Sequence, residues 1–134
     1  MNLSKESLQL DLKSTPFVFV YGTLKKGLSN HRLIEGAEFV TNGRVKSFGT
    51  LNNTYPPTFT ADFGDEIPVS GEMYKVDEET MLSLDSLEGH PYGYFRTQVD
   101  VETDEGSNRA WCYFYYVDGV EDPAPVINGC YEWK

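Results

Sequence analysis

The sequence contains only two cysteines, Cys112 and Cys130, among its 134 residues. Small secreted domains that depend on disulfide bonds carry a much larger share of cysteine, so a disulfide scaffold is excluded. Histidine is equally scarce. His31 and His90 lie far apart in sequence, and no third ligand stands at metal-binding spacing. We therefore predict that the protein has no metal site.

Basic residues are also few. The chain has 11 Lys and Arg against 21 Asp and Glu, which gives a net charge of −10. Such a field repels the phosphates of nucleic acids and anionic membrane surfaces, so we expect neither as a partner. A small anionic substrate is still compatible with this charge, because local hydrogen-bond donors can outweigh the global field.

Long apolar runs are missing. No stretch is long enough to span a membrane, and the N-terminus lacks the apolar region of a signal peptide, so we expect a cytoplasmic protein. Aromatic residues are abundant, at 14% of the chain, with nine Tyr and eight Phe. This composition favours a sheet-rich core. We predict a single domain over residues 17–134, preceded by an N-terminal arm or peripheral strand over residues 1–16.

The first half of the chain is predicted to be mainly strands. The continuous apolar run of residues 17–21 is typical of a central strand buried on both faces. A short helix is expected near residues 30–34. The dipeptide Asn42-Gly43 predicts a hairpin between two short strands within residues 37–51. Residues 52–68 contain paired prolines and are predicted to form a long loop, and such loops are often functional.

The second half adds a helix and a hairpin. Residues 71–76 predict a strand, after which Asp77 can cap a helix that Gly89 ends. Residues 95–103 alternate with a period of two, whereas residues 110–117 are aromatic on both faces, and the two segments predict a hairpin. The sum is an α+β fold: a mixed or largely antiparallel sheet, open or closed into a small barrel, with peripheral helices.

The first motif with chemical content is Tyr21-Gly22-Thr23-Leu24, directly after the predicted buried strand. A glycine turn at a strand end exposes successive backbone N–H groups, which can form a concave anion site. The alternative is an ordinary turn, in which Gly22 only allows the bend. The motif lacks the spacing of a phosphate-binding P-loop.

The second feature with chemical content is Glu88. If the predicted helix keeps its period, Glu88 shares a face with Met81 and Leu84 and points inward at the last turn. Burial and the negative end of the helix dipole both disfavour the charged carboxylate, so both raise its pKa toward that of a general base at neutral pH. The alternative is that the helix frays early and Glu88 lies in solvent. Asp85, one position off the apolar face, is the rival candidate.

Four further side chains are weaker candidates. We expect Cys112 to be buried and inert. Arg96 lies on the polar face of its predicted strand, which is typical of a surface residue. Tyr113 and Tyr115 share a strand face, and we expect the first in the core and the second in a pocket wall.

Six segments follow one another in an order and register that resemble a known family: residues 18–27, 30–32, 71–77, 84–89, 94–96 and 110–115. The combination of the motif at residues 21–24 with a glutamate shortly after Leu84-Asp85 is specific. It resembles the γ-glutamylcyclotransferase-like (AIG2-like) family, and most closely its γ-glutamylamine cyclotransferase branch. The resemblance covers about residues 17–117.

This resemblance implies a small mixed β-barrel and an enzyme that acts on a small-molecule γ-glutamyl substrate. In the family, the backbone of the first motif holds the γ-glutamyl group, here at Tyr21, Gly22, Thr23 and Leu24. The glutamate of the second block is the acid/base, here Glu88. The implied reaction is attack of the glutamyl amine on its own γ-carbonyl, which releases 5-oxoproline and a free amine. It requires no metal or organic cofactor.

Two other functions stay open at this point. One is a non-catalytic small-molecule-binding module of the same fold. The other is a cyclotransferase that removes a γ-glutamyl protecting group from a metabolite. In each case Tyr115 is expected to contact the ligand, and the sequence does not determine the oligomeric state.

Overall fold

The computed structural model describes residues 3–28, 30–46, 49–54, 57–61, 67–90, 93–119 and 122–133. The helices in these ranges are α1 (Leu3–Ser14) and α2 (Glu78–Glu88), and a 3₁₀ turn spans His31–Leu33. The strands are β1 (Phe17–Val20), β2 (Glu38–Lys46), β3 (Gly49–Asn52), β4 (Thr58–Ala61), β5 (Pro68–Lys75), β6 (Phe95–Thr103), β7 (Gly106–Phe114), β8 (Tyr116–Val117), β9 (Val126–Ile127) and β10 (Cys130–Tyr131). Neither helix in the described ranges combines the length and apolar character needed to cross a bilayer.

Five strands close into a barrel in the order β1-β7-β6-β2-β5, and β5 returns to pair with β1. β1 is antiparallel to β5 and parallel to β7, so the sheet is mixed. β10 and β9 extend the sheet beyond β5, whereas β3, β4 and β8 form a separate three-stranded sheet. The predicted α+β fold, with a small mixed barrel and peripheral helices, is confirmed.

β1 is buried on both faces, as predicted from its apolar run. Phe19 belongs to one hydrophobic cluster, while Val18 and Val20 belong to a second cluster that includes Met81 and Leu84 of α2. This division follows because successive side chains of a strand point to opposite faces. As a result, α2 packs against the strand that leads directly into the turn at residues 21–24.

The boundaries of α2 are those the sequence predicts. The Asp77 side chain accepts a hydrogen bond from the Thr80 N–H at 2.8 Å, which satisfies one of the free donors of the first turn. Gly89 ends the helix with a φ of 70°, a left-handed conformation that glycine adopts readily. The helix therefore reaches its full length with Glu88 as its last residue.

The segment before β1 is a helix, so the expected peripheral strand is not formed. Leu8 is buried and Leu12 is partly buried, and both pack into the same cluster as α2. A separation of four residues is the spacing of neighbours on one helical face. Residues 1–15 mix apolar and polar side chains without a clear period, which concealed this spacing.

The predicted hairpin at Asn42-Gly43 is wrong, because β2 runs straight through it. Asn42 pairs with Glu72 and Gly43 with Gly71 on β5. A Cβ at Gly43 would lie 2.6 Å from Cγ1 of Val101 on β6. The glycine is therefore required by the close approach of a neighbouring strand and not by a turn.

Residues 52–68 are not one continuous loop, since they contain β4. This strand pairs with β3 and, in parallel, with β8, and its Phe59 is almost completely buried. Asn52 is also fully buried and donates to the Thr60 hydroxyl at 3.0 Å. Residues 55, 56 and 62–66 of the predicted loop lie outside the described ranges.

The predicted hairpin of the second half is confirmed as β6 and β7, which pair from Phe95 opposite Phe114 to Thr103 opposite Gly106. The second strand is shorter than the predicted residues 110–117. It ends at Phe114, and the chain then leaves the barrel to form β8 beside β4.

Candidate active site

A cavity of about 150 Å³ lies where several parts of the fold meet. These parts are β1 and the turn after it, the last turn of α2, the segment before β4, and the adjoining ends of β6 and β7. The lining residues are Phe19, Val20, Tyr21, Gly22, Thr23, Leu24, Asn30, Pro57, Leu87, Glu88, Tyr94 and Tyr113. The cavity thus brings together the motif at residues 21–24 and Glu88, which lie far apart in sequence.

The turn after β1 is held by hydrogen bonds to its own carbonyl groups. The Lys25 N–H donates to the Gly22 carbonyl at 3.0 Å, and the Asn30 N–H donates to the Thr23 carbonyl at 2.9 Å. In a trans peptide, the C=O of one residue and the N–H of the next point in opposite directions. The N–H groups of Thr23 and Leu24 therefore point away from the interior of this loop.

Gly22 is required by the closeness of Pro57. A Cβ built on Gly22 would lie 2.7 Å from Cγ of Pro57, a distance that would force one of the two to move. The absence of a side chain lets the segment before β4 pack directly onto the turn. Both then line the same cavity.

Glu88 combines partial burial with a position at the cavity wall. Burial raises the pKa of its carboxyl from 4.5 to about 7. No hydrogen bond from the described part of the chain reaches this carboxylate to offset the effect. Its own backbone carbonyl accepts the Tyr94 N–H at 2.8 Å, which joins the end of α2 to the chain that enters β6. The helix is intact up to this residue, so Glu88 does not fray into solvent.

The three tyrosines of the lining are neutral, and each hydroxyl is already used as a donor. Tyr21 donates to the Tyr113 carbonyl at 2.7 Å, and Tyr94 donates to the Pro57 carbonyl. The Tyr113 hydroxyl donates to the Asp85 carboxylate. Burial raises the pKa of all three phenols above their ordinary value. They therefore stay protonated when Glu88 ionises.

Asp85, the rival to Glu88, is bound in an ion-pair network. Arg96 donates to it through Nε at 2.8 Å and through Nη2 at 3.1 Å, and Nη1 donates to Asp11 of α1 at 2.7 Å. The Arg96 side chain is only 6% exposed, and its guanidinium lies 4.8 Å from the centre of the Trp111 ring. The expectation of a surface arginine is wrong, because both helices cover this face of β6.

Tyr115, predicted as a pocket wall, is not among the residues that line the cavity, whereas Tyr113 is. Since β7 ends at Phe114, Tyr115 lies in the link to β8 and is 42% exposed. Its ring centre lies 5.4 Å from that of Tyr94, which does line the cavity. Cys112 is buried in the barrel, and burial raises the pKa of its thiol, as expected for an inert residue.

Sequence reasoning missed Pro57, Tyr94 and Asn30 as lining residues. Pro57 lies in the segment predicted as a loop, and its place depends on the packing against Gly22. Asn30 belongs to the predicted short helix and to a segment of the family resemblance, but neither signal placed it in the site. Its Nδ2 donates to the Thr23 hydroxyl at 2.9 Å and so braces the turn. Tyr94 carried one signal, because it belongs to a segment that matches the family pattern.

Taken together, the lining offers one ionisable carboxyl group that titrates near neutral pH, a turn with outward N–H groups, and neutral aromatic walls. No group of His, Cys, Asp and Glu side chains able to hold a metal ion occurs within the described ranges. The chemistry that such a site can support is proton transfer combined with stabilisation of a developing negative charge.

Comparison with known proteins identifies the family. A family model described as "Gamma-glutamyl cyclotransferase, AIG2-like" matches residues 18–133. The chain belongs to this family. The match includes every lining residue of the cavity, and it extends beyond the resemblance at residues 17–117 to the C-terminal strands.

Individual relatives of this γ-glutamyl cyclotransferase family agree. The chain is 36% identical over 107 residues to γ-glutamylaminecyclotransferase C of Danio rerio, covering 72% of this chain and 69% of the relative. It is 32% identical over 112 residues to the γ-L-glutamyl-butirosin B γ-glutamyl cyclotransferase of Niallia circulans, covering 77% and 69%. The crystal structure of an AIG2-like protein from Mus musculus superposes with a TM-score of 0.65 at 30% identity, covering 74% of this chain and 76% of that one.

Proposed function

We propose that the protein is a 5-oxoproline-forming cyclotransferase for a γ-glutamyl amine or γ-glutamyl amino acid, with Glu88 as its general acid/base. The observation that carries the proposal is that Glu88, with a pKa of about 7, lines the same cavity as the turn at residues 21–24. A carboxyl group with such a pKa can both accept and return a proton near neutral pH.

The reaction begins when the Glu88 carboxylate takes a proton from the α-ammonium group of the substrate. The neutral amine then attacks the γ-carbonyl carbon, a new C–N bond closes the five-membered ring, and negative charge develops on the carbonyl oxygen. Collapse of this intermediate breaks the original amide C–N bond. The leaving nitrogen takes the proton back from Glu88. The ring nitrogen loses a second proton as the lactam forms, and the same carboxylate passes it to the leaving amine, which departs as an ammonium ion, so no other reagent is consumed.

The turn at residues 21–24 is suited to hold the oxygen on which charge develops. The N–H groups of Thr23 and Leu24 point away from the loop, because the carbonyls of Gly22 and Thr23 are bound inside it. Donors fixed in this way need no reorganisation during the reaction and typically contribute roughly 10²- to 10³-fold to the rate. The direction of these two N–H groups supports the assignment of Tyr21, Gly22, Thr23 and Leu24 to substrate binding.

Ring closure is unimolecular, so much of the rate depends on how tightly the substrate is positioned. The walls support such positioning, because the hydroxyls of Tyr21, Tyr94 and Tyr113 are fixed by their hydrogen bonds. Tyr115 contributes to this positioning from outside the cavity, through the contact of its ring with Tyr94. No residue of the described lining besides Glu88 is a base that titrates near pH 7.

The names of the relatives support both amine and metabolite substrates. One relative is named for γ-glutamylamines and another for γ-glutamyl-butirosin B. Each substrate of this kind would release 5-oxoproline by the same ring closure. The decisive experiment is therefore to incubate the purified protein with a panel of γ-glutamyl amines and γ-glutamyl amino acids and to measure 5-oxoproline.

Glu88→Gln tests the assigned base in the same assay. Glutamine keeps the volume and reach of glutamate but cannot accept the ammonium proton, so we expect turnover to fall by roughly 10²- to 10⁴-fold. Glu88→Asp keeps a base but withdraws it by one methylene, so activity should fall without disappearing.

Glu79→Gln is the matched control, because Glu79 lies on the same helix but is exposed and outside the cavity lining. It should keep the wild-type rate. If folded Glu88→Gln, checked by a thermal melt, retained the wild-type rate, the base would lie elsewhere and Asp85 would be examined next.

A further inference from the structure

The wall of the cavity beyond the turn carries no formal charge. It is formed by Pro57 before β4, Leu87 at the end of α2 and Tyr94 before β6. Among all the lining residues of the described chain, Glu88 is the single member of the Asp, Glu, Lys, Arg and His set. The polar hydrogen of Tyr94 is already used, because its hydroxyl donates to the Pro57 carbonyl.

This uncharged wall continues onto the surface. Leu87 lines the cavity but is 43% exposed, and Tyr115, whose ring lies against Tyr94, is 42% exposed. Leu87 and Tyr94 both line the cavity, and the Tyr94 N–H is bonded to the carbonyl of Glu88, the residue that follows Leu87. We call Leu87, Tyr94 and Tyr115 the apolar rim.

The size of the cavity places part of any substrate on this rim. About 150 Å³ is well below the roughly 300–1,000 Å³ of pockets that enclose a drug-sized ligand. The γ-glutamyl group, held at the turn and at Glu88, would use most of this space. A leaving amine of more than a few atoms must therefore extend across the apolar rim.

The sequence around these residues agrees. Residues 53–61, on both sides of Pro57, contain no Asp, Glu, Lys, Arg or His, and the same is true of residues 91–95 around Tyr94. A charged group held against apolar side chains loses hydration without gaining a partner, which is unfavourable. An apolar chain or an aromatic ring instead gains from removing its surface from water.

From these observations we propose that the preferred substrates carry an uncharged, apolar or aromatic amine on the γ-glutamyl group. This inference rests on the proposed function, since it concerns the leaving group of the same ring closure. The apolar rim is then the specificity-determining surface, and Leu87 is the rim residue that α2 contributes.

Two pairs of synthetic substrates isolate the charge. γ-Glutamyl-phenethylamine and γ-glutamyl-phenylalanine differ only by a carboxylate, and γ-glutamyl-hexylamine has nearly the same length as γ-glutamyl-cadaverine but lacks its terminal ammonium. We expect kcat/KM for 5-oxoproline release to be higher for the uncharged member of each pair by about tenfold or more. The assays belong at about 0.15 M salt, where the field of the net charge is screened beyond about 8 Å.

Leu87→Asp tests the rim directly. A carboxylate there should raise kcat/KM for the cadaverine substrate relative to the hexylamine substrate by about tenfold. Leu82→Asp is the control, because Leu82 is a leucine of the same helix, is 51% exposed and is not part of the cavity lining. It should leave the ratio unchanged.

The outcomes separate this inference from the proposed function. If no substrate yields 5-oxoproline, the proposed function itself fails. If all four yield it and the charged members react equally well or faster, the function stands and the inference is overturned. Equal shifts of the ratio in Leu87→Asp and Leu82→Asp would also overturn it, because the leaving amine would then not contact the apolar rim.

Discussion

The Glu88 carboxyl illustrates how a single residue can gain its reactivity from its place at the end of a helix. The period of α2 turns it to the same side as Met81 and Leu84, both fully buried. Gly89 then ends the helix, so no further helical turn follows to cover the Glu88 side chain. What results is a carboxyl group removed from most of its water, with a pKa of about 7, at the wall of a cavity.

This raised pKa has a cost in stability that depends on pH. Below about pH 4.5 Glu88 is protonated in both the folded and the unfolded chain. As the pH rises, the unfolded chain ionises first, and the folded state loses relative stability until its own pKa of about 7 is passed. The shift corresponds to at most about 3–4 kcal/mol, and partial exposure to solvent reduces this to roughly 1–2 kcal/mol.

Glu88→Gln should therefore be more stable than the wild type at about pH 8, by roughly 1–2 kcal/mol. The two proteins should converge as the pH falls toward 4.5, the ordinary pKa of this carboxyl. Urea unfolding followed by tryptophan fluorescence across this range measures the difference. A gap that stays constant with pH would contradict the burial of Glu88, and exposed Glu79→Gln should show no such trend.

At the scale of elements, α1 is joined to the barrel by one buried charge. Its Asp11 accepts a hydrogen bond from Arg96 of β6 at 2.7 Å, and Arg96 also binds Asp85 of α2. Asp85 in turn accepts the hydroxyl of Tyr113, a wall of the cavity. In addition to their apolar contacts, both helices are thus linked to β6 through a single guanidinium group.

Asp11→Asn should loosen α1, because it leaves the nearly buried Arg96 with one charged partner fewer. A hydrogen bond to a charged group contributes about 1.5–3 kcal/mol, so we expect the free energy of unfolding to fall by roughly that amount. Urea titration with a paired control measures it. The control is Asp100→Asn, which removes a surface pair with Arg109 at 3.3 Å, where the side chains are 70% and 58% exposed.

That control should change stability by no more than about 0.5 kcal/mol, as is usual for exposed ion pairs. Equal effects of the two substitutions would show that Asp11 contributes no more than a surface charge. The comparison is direct, because both aspartates pair with an arginine and both are replaced by the same residue.

The elements also show what the sequence can and cannot predict. β1, α2 and the β6–β7 hairpin were predictable, because their signals are local: an apolar run, an N-cap followed by helical spacing, and a period of two. The turn at residues 21–24 and Glu88 lie directly at the ends of these elements, so they were predictable with them. The family resemblance alone predicted that the turn at residues 21–24 and Glu88 belong to the same site.

The sequence predictions are wrong where the role of a residue depends on a contact with a residue far away in the sequence. Gly43 looks like a turn residue, but its missing side chain makes room for Val101 of another strand. Arg96 stands at a polar position in the period-two pattern of β6, as a surface residue would. Two helices cover it, and the pattern of the strand gives no sign of them. Pro57 reaches the cavity only because Gly22 has no Cβ. None of these contacts has a signature within a short window of sequence.

For the whole molecule, the decisive feature is the pairing of β5 with β1, which closes the sheet into a barrel. The register places Val20 opposite Glu72 at the end of this pairing, next to Gly71. A Cβ at Gly71 would lie 2.3 Å from the Val20 carbonyl oxygen and 2.6 Å from Cζ of Phe19. Since Val20 leads directly into the turn at residues 21–24, the same crossing that closes the barrel also positions the candidate active site.

Gly71→Ala should therefore act on the entire fold. The added methyl group meets a backbone atom and a buried ring, neither of which can move without shifting β1, and overpacking of this kind typically costs about 1–3 kcal/mol or more. We expect a lower free energy of unfolding in urea and, in the fraction that remains folded, reduced 5-oxoproline release because the turn is displaced. The control is Gly36→Ala, since a Cβ there meets nothing within 4 Å. It should be neutral within about 0.5 kcal/mol, and a Gly71→Ala protein as stable and active as this control would show that the barrel closes without the close crossing of β1 and β5.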